Sequence, residues 1–189
     1  KTIINPPNKN LFLEIHRLRG EGKDAECKLL KKSKLPWITP NCVVKQRSLE
    51  AEGEFEKNYL FSSGFIYFDI DIFDKNLTTD ELKKVLIRKY GHIVALISKS
   101  SSNRGISILL RINSKIYSKE EYSLVYDYIL STYFSDIENG VEFDSSINIL
   151  GAPWFVPFDE SVYVNYESEI DVSSVLNKSK VSSNVLYSH

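Results

Sequence analysis

The stretch Phe65-Ile66-Tyr67-Phe68-Asp69-Ile70-Asp71-Ile72-Phe73 decides how this chain is read. Alternate residues of a strand face opposite sides of a sheet. The even positions, Ile66, Phe68, Ile70 and Ile72, form one wholly apolar face rich in β-branched residues, which predicts a strand buried on that side. The odd positions, Phe65, Tyr67, Asp69, Asp71 and Phe73, set two carboxylates side by side, about 7 Å apart along the strand. Like charges so placed repel and lose hydration unless a cation lies between them. Carboxylate oxygens suit Mg²⁺ or Mn²⁺, ions commonly shared with substrate phosphates. An Asp-x-Asp before a turn is also an ordinary solvated strand end, and Asp74-Lys75-Asn76 follows closely. What the chain brings to the same sheet face decides between the two.

Two strand and helix signals follow. Thr78 and Glu81 have capping-box spacing, Leu82, Val85 and Leu86 make a buried stripe, and Gly91 ends the helix. Ile93–Ile97 is a continuous apolar run that reads as a covered strand. A polar loop, Ser98 to Gly105, leads into a strand over Ile106–Ile112 with Ser107, Leu109 and Arg111 on its second face. Ser118 and Glu121 predict another capping box, before a helix packed through Tyr122, Val125, Tyr126, Ile129 and Tyr133. Asn139-Gly140 is a turn signal, and Val141–Asp144 a short strand with Glu142 and Asp144 on one side. The order from 65 to 144 is strand, helix, strand, strand, helix, strand. Right-handed crossovers put both helices on one face and leave the other open, giving an α+β fold of the RRM or ferredoxin-like plan with βαββαβ order. The first and third strands become neighbours, which brings Asp69 and Asp71 beside Ser100, Arg104 and Ser107. Three carboxylates, Asp69, Asp71 and Asp144, could then hold two divalent ions about 3.5–4 Å apart. The Ser/Gly/Arg loop offers N–H groups, hydroxyls and a guanidinium to triphosphate oxygens.

Ahead of this core, residues 8–33 read as two short helices, Leu35–Pro40 as a proline-bounded extended stretch, and Cys42–Lys45 as a short strand. Residues 48–58 read as a polar loop. Trp154–Val156 and Val162–Val164 are expected to pair with each other. The expected organisation is an N-terminal helical and extended module (1–60), a catalytic core (61–170) and a linker (171–189).

The 189 residues allow one compact domain with a small appendage, and the net charge of −1 gives no global support for a nucleic-acid partner. Cationic residues nevertheless cluster at Lys28, Lys31, Lys32 and Lys34, then at Lys45 and Arg47. These clusters are candidates for template or triphosphate contact, and solvated helix faces are the plainer alternative. Cys27 and Cys42 lack zinc spacing and fit a reducing, cytoplasmic compartment. No run of eighteen apolar residues is present, so no membrane span is expected. A chain that opens on Lys1 and contains no Met reads as a segment of a longer protein.

The ordered set Phe68-Asp69-Ile70-Asp71, Ser98-Lys99-Ser100 through Arg104-Gly105-Ile106-Ser107, and Phe143-Asp144 resembles the three motifs of the archaeo-eukaryotic primase superfamily, the primase-polymerases. Leu35-Pro36-Trp37-Ile38-Thr39-Pro40 and the closing Phe155-Val156-Pro157-Phe158-Asp159, with Tyr163 and Asn165, resemble the branch found in mobile elements and CRISPR-associated primase-polymerases, with a VirE N-terminal-like domain. The similarity spans roughly residues 30–166. It implies nucleotidyl transfer from nucleoside triphosphates on a single-stranded DNA template. Asp69, Asp71 and Asp144 would hold Mg²⁺ or Mn²⁺, and Ser98, Ser100, Asn103, Arg104, Gly105, Ser107 and Arg111 would bind nucleotide. Lys34, Lys45 and Arg47 would meet template. Further domains or CRISPR adaptation proteins beyond the two ends are implied as partners. Two departures stand out. Ser107 occupies a position where His is common and Lys is also found, with Arg104, Lys99 or Arg111 as substitute cations. Ala152 lies where an Arg is common. The competing reading is a non-catalytic open-sheet nucleic-acid-binding module, with Phe65, Tyr67 and Phe73 as stacking platforms. A metal-dependent nuclease and a sugar-nucleotide transferase rank below it.

Overall fold

The computed structural model describes residues 9–45, 58–137 and 140–177. Its centre is β4 (Phe65–Ile72), whose apolar face is buried as the alternation requires: Ile66, Phe68 and Ile70 have no solvent exposure. β4 pairs antiparallel with β6 (Gly105–Arg111) on one side and β7 (Val141–Phe143) on the other. β5 (Leu96–Lys99) and β9 (Tyr163–Val164) extend the sheet beyond β6, so the order is β7-β4-β6-β5-β9, all antiparallel. The first and third strands of the core are neighbours, as the sequence predicts.

Helices α3 (Thr79–Tyr90) and α4 (Lys119–Tyr133) cover one sheet face. Leu82, Leu86 and Tyr90 of α3, and Tyr122, Val125, Tyr126 and Ile129 of α4, join Ile66, Phe68, Ile70, Ile106, Ile108 and Leu110 in one core. Each such side chain contributes roughly 1.5–3 kcal/mol on burial. Phe68 fixes the register: it stacks on Tyr126 at 4.3 Å between ring centroids and meets Phe134 and Phe143 edge-on. The Thr78 capping box is complete. Ser118 caps α4 by accepting from the Glu121 N–H, but the Glu121 carboxylate takes the Tyr117 N–H instead of closing a box. Gly91 caps α3 in a right-handed conformation. Glycine is needed there because a Cβ would lie 2.4 Å from the Ile87 carbonyl and 3.0 Å from the Tyr163 hydroxyl.

The second sheet face, expected to be open, is instead roofed, because the N-terminal hairpin and the closing segment pack over it. Helices α1 (Lys9–Gly20) and α2 (Asp24–Lys34) form a hairpin with its own core of Phe12, Ile15, Leu18, Cys27 and Leu35, packed against Phe155 and Phe158. β1 (Trp37–Ile38) pairs with β8 (Trp154–Phe155), and β2 (Cys42–Val44) with β3 (Tyr59–Ser62).

Several boundaries depart from the sequence reading. β5 starts at Leu96, since residues 91–93 form a turn and Val94 is buried outside any strand. Ser98 and Lys99 therefore belong to the strand. β8 and β9 do not pair with each other; each is taken by an unfilled edge, β1 and β5. Residues 171–177 are no linker, because Val172 and Leu176 are buried in the main core beside Ile170. Cys42, assigned to the N-terminal module, is buried in that core as well. Most of the 48–58 loop, Arg47 and Asn139 lie outside the described residues.

One polar contact ties the closing segment down. Lys83 of α3 pairs with Asp159 at 2.5 Å, both side chains buried, and also donates to the Ser161 carbonyl. Asp159 accepts the Lys99 N–H of β5 at 2.9 Å as well. Burial opposes ionisation of Asp159, but Lys83 and these N–H donors hold its carboxyl below the usual range. Lys83→Ala strands a buried carboxylate, and an expected loss of roughly 3–5 kcal/mol is measurable by urea unfolding. Lys83→Met/Asp159→Leu should recover most of it, because neither charge then remains buried.

Candidate active site

The alternation that buries Phe68 and Ile70 turns Tyr67, Asp69 and Asp71 to the roofed face. The ladder then sets their neighbours. Ser107 is opposite Asp69, Ser98 is opposite Ser107, and Glu142 and Gly105 flank Asp71. Asp144 follows β7 and donates its N–H to the Asp69 carbonyl at 2.9 Å. One row across the sheet thus reads Asp144, Asp69, Ser107, Ser98. All three predicted carboxylates line a single cavity of about 650 Å³, within the range of small-molecule sites. Tyr67, Trp154 and Phe155 give it an aromatic side, Ser100–Ser102 and Ser107 a hydroxyl side. α2 closes it opposite the sheet with Lys28, Lys31 and Lys32, helped by Arg19 of α1.

Two of the carboxylates, Asp69 and Asp71, are raised, each by burial first and a neighbouring carboxylate second. Asp69 is half-buried, and burial first, then the Asp71 charge, push it up to about 7 against the Ser107 hydroxyl, which donates to it at 3.1 Å. Asp71 is raised by burial and by Asp144. Burial pushes the Tyr67 phenol well up, with Asp69 adding to it, so that hydroxyl stays protonated. Lys31 and Arg19 oppose these shifts from across the cavity, yet no carboxylate of the three forms an ion pair among the described residues. An oxygen-only, mutually repelling and uncompensated donor set fits a hard divalent cation in its chemistry. The side chains are not gathered around one point: among the described residues, no three His, Cys, Asp or Glu groups are spaced to hold an ion as they stand.

The remaining predicted residues divide. Ser100 and Ser107 line the cavity, but Ser107 spends its proton on Asp69. Ser98 is fully buried on the same row, and its hydroxyl has no partner among the described residues. Gly105 is needed for close packing rather than loop freedom, since a Cβ would meet the Ile70 carbonyl at 2.3 Å and Asp71 Oδ1 at 3.5 Å. Asn103 makes the left-handed turn of the loop and accepts from Thr79 of α3. Arg104 is exposed and does not line the cavity. Arg111 lies about 13 Å along β6 from Ser107. Its guanidinium is engaged by the Ser168 and Tyr166 carbonyls. Lys99 is paired with Asp80. Lys34 and Lys45 are exposed and outside the cavity. Asp144 also caps a 3-10 turn, accepting the Ser146 N–H at 2.9 Å.

Sequence reasoning placed Lys28, Lys31 and Lys32 in a cationic cluster but not on the wall facing the carboxylates; their spacing of three and four on one helix was the available signal. Trp154 and Arg19 carried no signal of their own. His16 of α1 hydrogen-bonds the Ser101 backbone, tying the hairpin to the loop, and burial lowers its pKa. No described helix is long and apolar enough to cross a membrane. No protein-family model matches the chain, and no curated protein matches it.

A carboxyl whose pKa is raised on folding stabilises the folded state below its ordinary range, and that stability is lost as pH rises toward the folded value. In the metal-free protein, stability associated with Asp69 should therefore decline between about pH 4 and pH 7, by roughly 1.4 kcal/mol per unit at most. Asp69→Asn keeps an acceptor for Ser107 and removes the charge. Its thermal midpoint in EDTA should exceed the parent's clearly at pH 8 and little at pH 4.5; equal differences at both pH values would contradict the assignment.

Proposed function

We propose that this chain is the catalytic core of a metal-dependent primase-polymerase, joining nucleotides on a single-stranded DNA template. The observation that carries the reading is the convergence of Asp69, Asp71 and Asp144 in one cavity of nucleotide size, under a basic helix. The strand order β7-β4-β6-β5, with α3 and α4 on one face, supports the RRM or ferredoxin-like plan that the resemblance implies.

Under this reading Asp69, Asp71 and Asp144 hold Mg²⁺ or Mn²⁺. The ion supplies charge neutralisation at the attacking and leaving oxygens of phosphoryl transfer. The protein's own part is positioning and a preset field. Ser107 orients Asp69 through its hydrogen bond, and Phe68, locked between Tyr126 and Phe143, holds the strand that carries both aspartates. Ser100–Ser102 offer hydroxyls on one side of the substrate. Tyr67 and Trp154, their rings 6.0 Å apart, offer an apolar surface for a sugar or base.

Primer synthesis on single-stranded DNA, with NTPs or dNTPs and Mn²⁺ or Mg²⁺, tests the proposal. The parent should give products, and Asp69→Ala/Asp71→Ala and Asp144→Ala should each lose at least about a hundredfold in rate. Extension of a pre-primed template separates loss of initiation from loss of chemistry. DNA binding with neither synthesis nor extension would leave the non-catalytic binding module as the better account.

A further inference from the structure

The cavity has two walls of opposite character. The sheet wall carries acceptors, and the wall opposite carries donors that the described residues leave partly unused. Lys31 is half-buried, and among the described residues its ammonium makes no hydrogen bond or ion pair; it lies over the Phe155 ring, 5.4 Å from Nζ to centroid. Arg19 gives one guanidinium nitrogen to Asp24 at 2.7 Å, but its Nε is buried without an acceptor. Trp154 is 5% exposed, and its indole N–H is also buried without one. An unpaired buried donor costs roughly 1–3 kcal/mol. Two such donors and a half-buried, unpaired ammonium beside one cavity call for an acceptor-rich ligand. Lys31 feels the charges of Asp69 and Asp71 without reaching them, so the gap between the walls is where that ligand fits.

We infer that Lys31, with Arg19 and the Trp154 indole, forms a polyphosphate-binding wall that takes the triphosphate of an incoming nucleotide. The identity of the anion rests on the nucleotidyl-transfer reading; the anion site itself does not. Lys28 and Lys32 lie three and one residues from Lys31 and line the same cavity, so the field along α2 is cationic over a full turn. The cation is needed here because β6 supplies none. Ser107 is neutral and committed to Asp69, Arg111 is tied to the 166–168 backbone, and Arg104 does not line the cavity. A doubly faced site of this kind binds phosphate oxygens on one side and a carboxylate-held cation on the other.

The test uses the whole chain and calorimetric titration with inorganic tripolyphosphate, in EDTA and again with Mn²⁺, beside Mn²⁺ binding read by electron paramagnetic resonance. Lys31→Gln should weaken tripolyphosphate roughly ten- to a hundredfold without weakening Mn²⁺ binding. Lys31→Arg should stay within about threefold of the parent, and Trp154→Phe, which keeps the ring but deletes the donor, should lose about threefold or more. Parental affinity in Lys31→Gln overturns the inference, as does a parent that binds no tripolyphosphate in either buffer. A short oligodeoxynucleotide is the second arm: weakened binding of it by Lys31→Gln with tripolyphosphate unaffected would assign the wall to a nucleic-acid backbone and reject the triphosphate. Lys31-dependent tripolyphosphate binding in a parent that takes up no Mn²⁺ would uphold the anion wall while removing the metal-dependent reading.

Discussion

β4 has to be buried on one face while carrying like charges on the other, and the rest of the molecule is arranged around that conflict. Phe68 and Asp69 are consecutive, so the stacking of Phe68 on Tyr126 in the core forces Asp69 toward the opposite side. A shift of register by one residue would place carboxylates against α4 and phenyl rings in the cavity. The apolar face wins by magnitude, since Ile66, Phe68 and Ile70 together contribute several kcal/mol. What remains on the other face is an electrostatic debt that folding itself does not settle. Ser107 provides one hydrogen bond to Asp69, and the cations across the cavity stay out of ion-pair reach. On the reading proposed here, such a group at the end of a well-packed strand serves chemistry rather than stability.

The cationic wall is attached indirectly. α1 and α2 pack on Phe155 and Phe158 of the closing segment, and β1 pairs with β8 of the same segment. That segment is in turn fixed to the sheet by β9 against β5, and to α3 by the buried Lys83–Asp159 pair. The distance between basic helix and acidic strand is therefore set through the closing segment and its anchors. Ion pairs buried to this degree are weak contributors to net stability, but breaking one is expensive, which makes this pair a register device for the roof. Such a role accounts for an Asp in the closing segment without giving it any contact with substrate.

Strong periodicity was the legible part of the sequence. β4 and β6 alternate cleanly, and Thr78 and Ser118 announce their helices, so the strand order around Asp69 followed. A continuous apolar run has no phase, which is why Ile93–Ile97 reads as a strand although only Leu96 and Ile97 belong to one. Two-residue strands carry no periodic signal at all; Trp154–Phe155 and Tyr163–Val164 find partners only through tertiary packing. Val172 and Leu176 are isolated apolar residues in a polar stretch, and only the finished core shows that they are needed. For the site, residue type sufficed for the carboxylates and failed for the cations. Arg104 and Arg111 look suitable in sequence because they adjoin the right strand, but a strand presents only one side to a cavity and extends well past it. Lys31 is far away in sequence and comes opposite through the roof.

On the reading proposed here, the two departures from the primase-polymerase pattern have one physical explanation. Ala152 is fully buried with Tyr67 and Trp154, so an Arg there would have to displace an apolar cluster. Ser107 is almost fully buried beneath Asp69, where a second cation would neutralise the carboxylate it touches. With neutral residues at both positions the acidic wall stays acidic, and positive charge is concentrated on α2 instead. Segregation of this kind repels each ligand when it is alone, since a bare polyphosphate faces carboxylates and a bare cation faces lysines. Together they satisfy both walls. Linkage then requires that each raise the other's affinity by the same factor, so on the reading proposed here the cavity selects the metal–triphosphate complex over either component.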